Sequence, residues 1–339
     1  MYDSDENDRQ NHLKHLLAEL VHQPGWYLQV DASGHKERLD RFLARRLKRV
    51  SRSRAGKLEV MDLLDPDKSF KKSSRVFQGQ HLWIARPIKD EEIEELTPPR
   101  IIWMDEHLLI VDKPSGWIIH PTAHRFHSTI QTWLMKQGYQ AQAVHRLDQE
   151  TSGILICARH KKSLQHLNQA FQMHKVHKTY LALCEGLCEV GTTWDCHTPL
   201  GFDAESAVHL KIGVGCAVAH TQFQVIATHQ TSQFSCIQAR PYTGRQHQIR
   251  VHLSMSGYPI IGDKLYGVDE KYFLAHLTQS LQAEDWAVLK HKRHALHAHQ
   301  LHFELFNRSY TITSPWPSDL QKLFPLPNYD LSMCSSLKL

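Results

Sequence analysis

Val144-His145-Arg146-Leu147-Asp148-Gln149-Glu150-Thr151-Ser152-Gly153 runs directly into Ile154-Leu155-Ile156-Cys157-Ala158. The first ten residues read as a loop crowded with polar groups, and the next five as an apolar run that fills a core strand. Loops carried on a rigid sheet are where reactive side chains usually sit. Spacing alone favours a plainer reading, in which Asp148 and Thr151 cap backbone amides in a tight turn. Arg146, two residues from Asp148, then reads as a surface phosphate contact.

Working outward, short β-rich runs recur at Ile101-Ile102-Trp103-Met104, Leu108-Leu109-Ile110-Val111, Thr179-Tyr180-Leu181-Ala182-Leu183, Phe223-Gln224-Val225-Ile226 and Phe234-Ser235-Cys236-Ile237-Gln238-Ala239. Between the loop's own strand and the run at 179 lies a helical stretch, with Leu164, Leu167 and Phe171 three and four apart. Many strands with a few interposed helices imply an α+β domain built on a largely antiparallel sheet. Leu296 to Phe303 alternates roughly with period two and reads as a late strand.

The amino-terminal part has a different character. Between Lys36 and Arg75 there are fourteen Lys/Arg against six Asp/Glu, in a chain whose net charge is only +5. Such a block is an electrostatic footprint for a polyanion. Leu39, Phe42, Leu43 and Leu47 recur at helical spacing, with Arg41, Arg45 and Lys48 on the other face. Ser51-Arg52-Ser53-Arg54 suits a second, capped short helix. Acidic residues 89–95 followed by Pro98-Pro99 read as a linker. The expected organisation is a polar extension (1–25), a small basic domain (26–87), a linker (88–99), a main domain (100–326) and a tail (327–339).

No apolar run reaches the roughly 20 residues needed to span a membrane, and the acidic start lacks the pattern of a secretory signal. We therefore expect a cytoplasmic protein, acting as a monomer. Seven cysteines in mostly apolar contexts read as buried free thiols. His294, His297, His299 and His302 invite a zinc reading. Without a Cys-x-x-Cys partner, in a chain with 26 histidines, we expect no metal there.

The segment Thr243-Gly244-Arg245-Gln246-His247-Gln248-Ile249-Arg250-Val251-His252 is dense in cationic and hydrogen-bonding groups, ending in a strand or short helix. Together with His145-Arg146-Leu147-Asp148-x-x-Thr151-Ser152-Gly153, Lys178-Thr179-Tyr180-Leu181-Ala182-Leu183, Gly257-Tyr258-Pro259-Ile260-Ile261-Gly262-Asp263, Asp112-Lys113-Pro114-Ser115-Gly116 and Leu296-His297-Ala298, it resembles the RluA family of pseudouridine synthases. The ordered set spans roughly residues 100–306. Arg38-Leu39-Asp40-x-x-Leu43-Ala44 and Lys72-Ser73-Ser74-Arg75-Val76-x-x-Gly79-Gln80 resemble an S4 RNA-binding domain, although Val60–Pro66 stands where that domain has a Val-x-Val-Asn-Gly hairpin.

The resemblance implies a mixed, largely antiparallel catalytic sheet with flanking helices, joined to a small α/β S4-like domain. It implies isomerisation of uridine in structured RNA, with no redox step and no cofactor. Asp148 falls on the catalytic carboxylate, Tyr180 on the active-site tyrosine and Arg250 on the arginine that pairs with the carboxylate. Arg146 falls on the residue that fills the gap left by an extruded uridine, with His145 assisting. Arg245 and His247 are further RNA contacts, as are Arg41, Arg45, Lys48, Arg52, Arg54 and Lys72 in the basic domain. Large-subunit ribosomal RNA is the expected substrate, with transfer RNA as the alternative. Two other readings are a non-catalytic RNA-binding protein and a hydrolase using Asp148 and Glu150 as an acid/base pair.

Overall fold

Apolar periodicity places the core of each element. In the computed structural model of the chain, residues 11–17, 20, 25–47, 50–85, 96–122 and 128–326 are described. They divide into two units, one within Met1–Glu95 and His120–Tyr139, the other within Leu96–Ile119 and Gln140–Leu339. The expected linker up to residue 95, the tail from 327 and Lys48 lie outside the described residues.

The first unit carries β1 (Gly25–Gln29), α1 (Leu39–Arg46), α2 (Arg52–Ala55), β2 (Glu59–Asp62) and β3 (His81–Ala85). Its strands form an antiparallel sheet in the order β1-β3-β2. Leu39, Phe42 and Leu43, at helical spacing, bury one face of α1 among Val30, Val76, Leu82 and Ile84. Complete burial of side chains such as Phe42 and Leu43 contributes about 1.5–3 kcal/mol each. Ser51 caps α2, its Oγ accepting the Arg54 amide at 3.3 Å. The segment assigned to this unit from the middle of the chain contributes α3 (Ile130–Lys136).

The second unit is built on one large sheet. Its strands are β4 (Arg100–Met104), β5 (Leu108–Lys113), β6 (Gln142–Ala143), β7 (Ser152–Ala158), β8 (His177–Glu185), β9 (Thr193–Cys196), β12 (Thr221–His229), β13 (Phe234–Pro241), β14 (Leu296–Leu305) and β15 (Arg308–Thr313); β10 (Leu200–Phe202) and β11 (Ile212–Val214) form a separate hairpin. The order is β4-β5-β7-β14-β8-β13-β12-β9, with β6 on β7 and β15 on β14. Every pairing in this sheet is antiparallel except β7 with β14. This is the expected α+β class, with helices α4 (Lys161–Gln172) and α5 (Gln248–Met255) flanking the sheet.

The parallel joint has a steric requirement. Gly153 has φ +110°, and a Cβ there would lie 2.2 Å from the Ala298 carbonyl oxygen. Only glycine lets β7 approach β14 this closely in that conformation. The polar loop ahead of Gly153 is thereby held at the middle of the sheet. The cysteines depart in part from expectation. Cys157, Cys184 and Cys236 are buried, Cys188 and Cys196 half-buried, and Cys216 exposed on the loop after β11. No helix among the described residues is long and apolar enough to cross a membrane.

Candidate active site

The loop from Val144 to Thr151 leaves β6 and turns back into β7, closed by the Thr151 amide donating to the Asp148 carbonyl at 3.1 Å. The turn that spacing suggests is present, but its side chains are used otherwise than as amide caps: the Asp148 carboxylate takes Arg250 and the Thr151 hydroxyl takes His294. The turn also carries Asp148 into a cleft of about 420 Å³, lined among others by Arg146, Lys178, Tyr180, Arg245, His247 and Arg250. That volume lies within the usual range for small-ligand pockets. Among the described residues lining the cleft, Asp148 is the only carboxylate.

Arg250 stands in the first turn of α5. His247 precedes that helix with φ 55°, a left-handed conformation uncommon outside glycine. This turn brings His247 Nε2 to 3.9 Å from Asp148 Oδ2 and its Nδ1 to 2.8 Å from the Tyr266 hydroxyl. Arg250 Nη1 donates to Asp148 Oδ2 at 3.2 Å. Its Nε and Nη2 donate to the two oxygens of Asp263 at 2.7 and 2.8 Å. Asp263 thus orients the guanidinium in a two-pronged grip, and the remaining nitrogen holds Asp148.

The electrostatics follow from this geometry. Burial pushes the Asp148 carboxyl upward, but the nearby guanidinium groups, Arg250 first and then Arg146, outweigh it, and the net shift is below the usual carboxylate value. Asp148 is therefore ionised at neutral pH. Burial opposes the charge on Arg250, and Asp263 with Asp148 more than restores it. Burial and the Asp148 charge raise the Tyr180 phenol well above its ordinary value, so it keeps its proton. Burial and Arg250 hold His247 down to about 4, leaving a neutral imidazole. Burial lowers the Lys178 ammonium to about 8; its Nζ donates to the Thr243 carbonyl at 3.3 Å.

The loop is clamped from several sides. The buried Lys113 ammonium donates to the carbonyls of Pro114, Trp117 and Gln149, each at 3.0 Å. Glu150 accepts from Lys264 Nζ at 2.7 Å and from the His294 amide at 3.0 Å. Thr151 Oγ1 is hydrogen-bonded to His294 Nε2 at 2.8 Å and Ser152 Oγ to His297 Nδ1 at 3.0 Å. On the opposite rim, Gln248 Oε1 accepts from Thr243 Oγ1 at 2.7 Å and the Arg245 amide at 3.0 Å. Such support fixes a reactive group in one geometry.

The structure brings Asp148, Tyr180, Arg250, Arg146, Arg245 and His247 to one cleft. His145 also lines it, but as part of the wall: its Nε2 accepts the Ile156 amide at 3.0 Å and its ring stacks on Phe171 at 5.0 Å. Burial, with Lys178, drops His145 to about 3, so it offers no positive charge to RNA. Glu150, committed to Lys264 and His294, lies outside the cleft lining, which removes the acid/base partner that a hydrolase reading needs. In the first unit, Arg41, Arg54 and Lys72 are exposed. Arg45 and Arg52 are exposed too, but Arg45 pairs with Glu37 at 2.5 Å and Arg52 with Asp40 at 2.8 Å, so each has a structural partner as well.

Asp263, Lys113, Gln248 and Tyr266 carry no assignment from sequence. Asp263 was the most accessible of them, since it ends the Gly257–Asp263 motif. Its neighbour Gly262, at φ +76°, would place a Cβ 2.0 Å from the Arg293 carbonyl oxygen, so that turn has to be glycine.

The family model described as RNA pseudouridylate synthase matches residues 107–255. The ribosomal large subunit pseudouridine synthase D of Zymomonas mobilis is 31% identical over 311 residues, 85% of this chain and 93% of the relative. An uncharacterised RNA pseudouridine synthase of Bacillus subtilis, YhcT, is 30% identical over 264 residues, 75% of this chain and 79% of its own length. Among solved structures, human RNA pseudouridylate synthase domain containing 1 superposes with a TM-score of 0.53 at 24% identity, covering 66% of this chain and 86% of that one, a likeness of fold. The chain is therefore a member of the RluA-type RNA pseudouridine synthases.

Proposed function

We propose that this enzyme converts specific uridines of large-subunit ribosomal RNA to pseudouridine, in the cytoplasm and as a monomer, with Asp148 as the reacting carboxylate. The observation that carries the reading is the Arg250–Asp148 contact, backed by the two-pronged Arg250–Asp263 pair. The reaction breaks the bond between C1′ and N1, rotates the uracil, forms a bond between C1′ and C5, moves the C5 proton away and returns a proton to N1. Atoms and electrons balance without a redox partner. A carboxylate can serve by attacking C1′, by attacking C6 or by taking a sugar proton, and each role needs the ionised form that Arg250 maintains.

Tyr180 offers a ring face for uracil and a protonated hydroxyl. It can pass on the C5 proton as a relay, not as a resident base. Arg146 is exposed at the cleft and carries a planar cation that can replace the stack given up when a uridine is extruded. The ribosomal assignment rests on relatives named ribosomal large subunit pseudouridine synthases in Zymomonas mobilis, Nitrosomonas europaea and Xanthomonas campestris. Pseudouridine mapping of total RNA from cells with and without the gene tests it. The expected result is loss of sites in large-subunit ribosomal RNA; loss confined to transfer RNA overturns the substrate, and no loss overturns the whole reading.

The first unit acts as an S4-like RNA-docking element in this proposal. Its support is the exposed Arg41, Arg54 and Lys72 on two helices and a loop over a three-stranded sheet. Replacing all three by Glu should weaken RNA binding and reduce the slope of log affinity against log salt by about 0.7–0.9 for each phosphate no longer neutralised. An unchanged slope rules out the docking role.

A further inference from the structure

A second group of chemically capable side chains lies outside the cleft lining, at the edge of the large sheet. Asp195 is on β9, His197 follows that strand and His220 immediately precedes β12. In the β9–β12 register Thr221 lies opposite Cys196 and Gln222 opposite Asp195, so His197 and His220 face each other just beyond the last pair. Residues two apart on a strand share a face, as do directly opposed residues. All three side chains thus project to one side. One donor atom from each lies within 4.8 Å of the other two. His220 Nε2 and Asp195 Oδ1 are 2.6 Å apart, and the two imidazoles stack with centroids 4.0 Å apart.

The outer surroundings of His220 are fixed. Its amide donates to Thr243 Oγ1 at 3.0 Å, and its carbonyl accepts from the Tyr242 amide at 3.0 Å and from Gln248 Nε2 at 2.9 Å. Its ring also stacks on Tyr242 at 4.3 Å. His197 and Asp195 are exposed, so rearranging them disturbs no core packing, although Asp195 gives up its contact with His220 and His197 its stack. Rearrangement is needed, because a tetrahedral ion with bonds of about 2.1 Å wants its donors about 3.4 Å apart, so the Asp195–His220 pair, at 2.6 Å, opens to admit it.

We propose that Asp195, His197 and His220 form a three-donor site for a divalent transition-metal ion of borderline softness, such as zinc, with water completing the coordination. Two imidazole nitrogens and one carboxylate oxygen suit that class. Magnesium and calcium, which prefer all-oxygen surroundings, do not match the donor set. The ion is not a reactant, since none of the three residues lines the catalytic cleft. The site does share Gln248 with the cleft rim, so an ion there would stiffen the strand end that carries the Thr243–Gln248 loop.

The test uses the full-length chain, cobalt(II) as a visible-absorption probe and zinc in competition with a chromophoric chelator. One equivalent should bind with a ligand-field spectrum, and Asp195→Asn and His197→Ala should each lower affinity at least tenfold. His302→Ala, which removes a histidine stacked on His177 at 6.0 Å without a carboxylate, should leave binding unchanged. Circular dichroism of each variant guards against misfolding, and both exposed positions are mild substitutions. If the two variants bind metal like the parent, or if His302→Ala removes the binding instead, the ion is adventitious and the site is refuted.

Discussion

Asp40 and Asp148 are both carboxylates held by arginine, and they are held differently. Asp40, in the first unit, receives Arg38 Nε at 3.1 Å on one oxygen and Arg52 Nε at 2.8 Å on the other. The Arg38 and Arg52 hydrogen bonds bring its carboxyl down to about 2. Asp148 receives one nitrogen of Arg250 at 3.2 Å on Oδ2, while Asp263 takes the other two. Its side chain remains 21% exposed, against 7% for Asp40, and that exposure opens into a cleft. A carboxylate with both oxygens engaged is a brace. One that is oriented through a single oxygen, with its exposure opening into a cleft, is placed as the proposed reagent would be.

The largest effect expected from that contrast is at Asp148. Asp148→Asn keeps the shape and removes the charge, so pseudouridine formation should fall by about 10⁴-fold or more, the scale seen when a nucleophile is removed, with RNA binding retained. Tritium release from 5-tritiated uridine in RNA measures this directly, and a variant with a tenth of normal activity would break the distinction between reagent and brace. Arg250→Met comes next. It leaves Asp263, fully buried, without its guanidinium, a loss of about 3–5 kcal/mol. It also removes the largest charge opposing burial at Asp148, with Arg146 left in place, raising that carboxyl, so the acid limb of the pH–rate profile should move to higher pH. Arg250→Met with Asp263→Asn separates the two effects: stability should recover in part, while the displaced acid limb persists.

Acid should distinguish the two regions further. His294 and His297, which anchor Thr151 and Ser152, are buried and neutral; burial is the main cause, and His297 is lowered to about 3. Above about pH 6.5 they are neutral in the folded and unfolded chain alike. Below it the unfolded chain takes up protons that the folded one refuses. Stability then falls by up to about 1.4 kcal/mol per pH unit for each histidine. Asp40 is shifted in the same direction but acts in a lower window: its contribution is present above its ordinary value of 3.8 and is lost only as pH falls towards about 2. Urea midpoints between pH 7.5 and 5 should therefore decline, and His297→Gln should flatten the decline. A flat profile in the parent means that these histidines are not held neutral.

How much of this was legible in the sequence depended on whether neighbours in the chain are neighbours in space. The strands at 101–104, 154–158 and 234–239 were readable because apolar runs bounded by polar turns leave few other conformations. Residues 248–253 left strand and helix undecided. All six are buried, so no exposed face breaks the pattern that would reveal the helical period. The histidines from 294 to 297 had no role in sequence terms, since their partners Thr151 and Ser152 lie 143 and 145 residues earlier. Asp148 and Arg250, 102 residues apart, were paired only through the family resemblance. Asp263 escaped because a segment rich in glycine reads as connection, and its two-pronged grip exists only after α5 has formed. Charge counting assigned Arg45 and Arg52 to RNA without showing that Glu37 and Asp40 already hold them.

The smallest effect should come from the matching substitution in the brace. Asp40→Asn retains size and one acceptor oxygen, so Arg38 or Arg52 keeps a partner and the packing of Leu39, Phe42 and Leu43 is undisturbed. A small drop in thermal midpoint is expected, with turnover on a short, accessible RNA within about twofold of the parent, since no group that touches substrate has changed. RNA affinity at low salt should rise slightly, because removal of one negative charge leaves two guanidinium groups less neutralised on a surface that also exposes Arg41 and Arg54. Measured beside Asp148→Asn, the same one-atom change then gives nearly opposite outcomes. If instead Asp40→Asn also abolished turnover while the chain stayed folded, the contrast between the two carboxylates would fail, and the first unit would have to act in the chemical step.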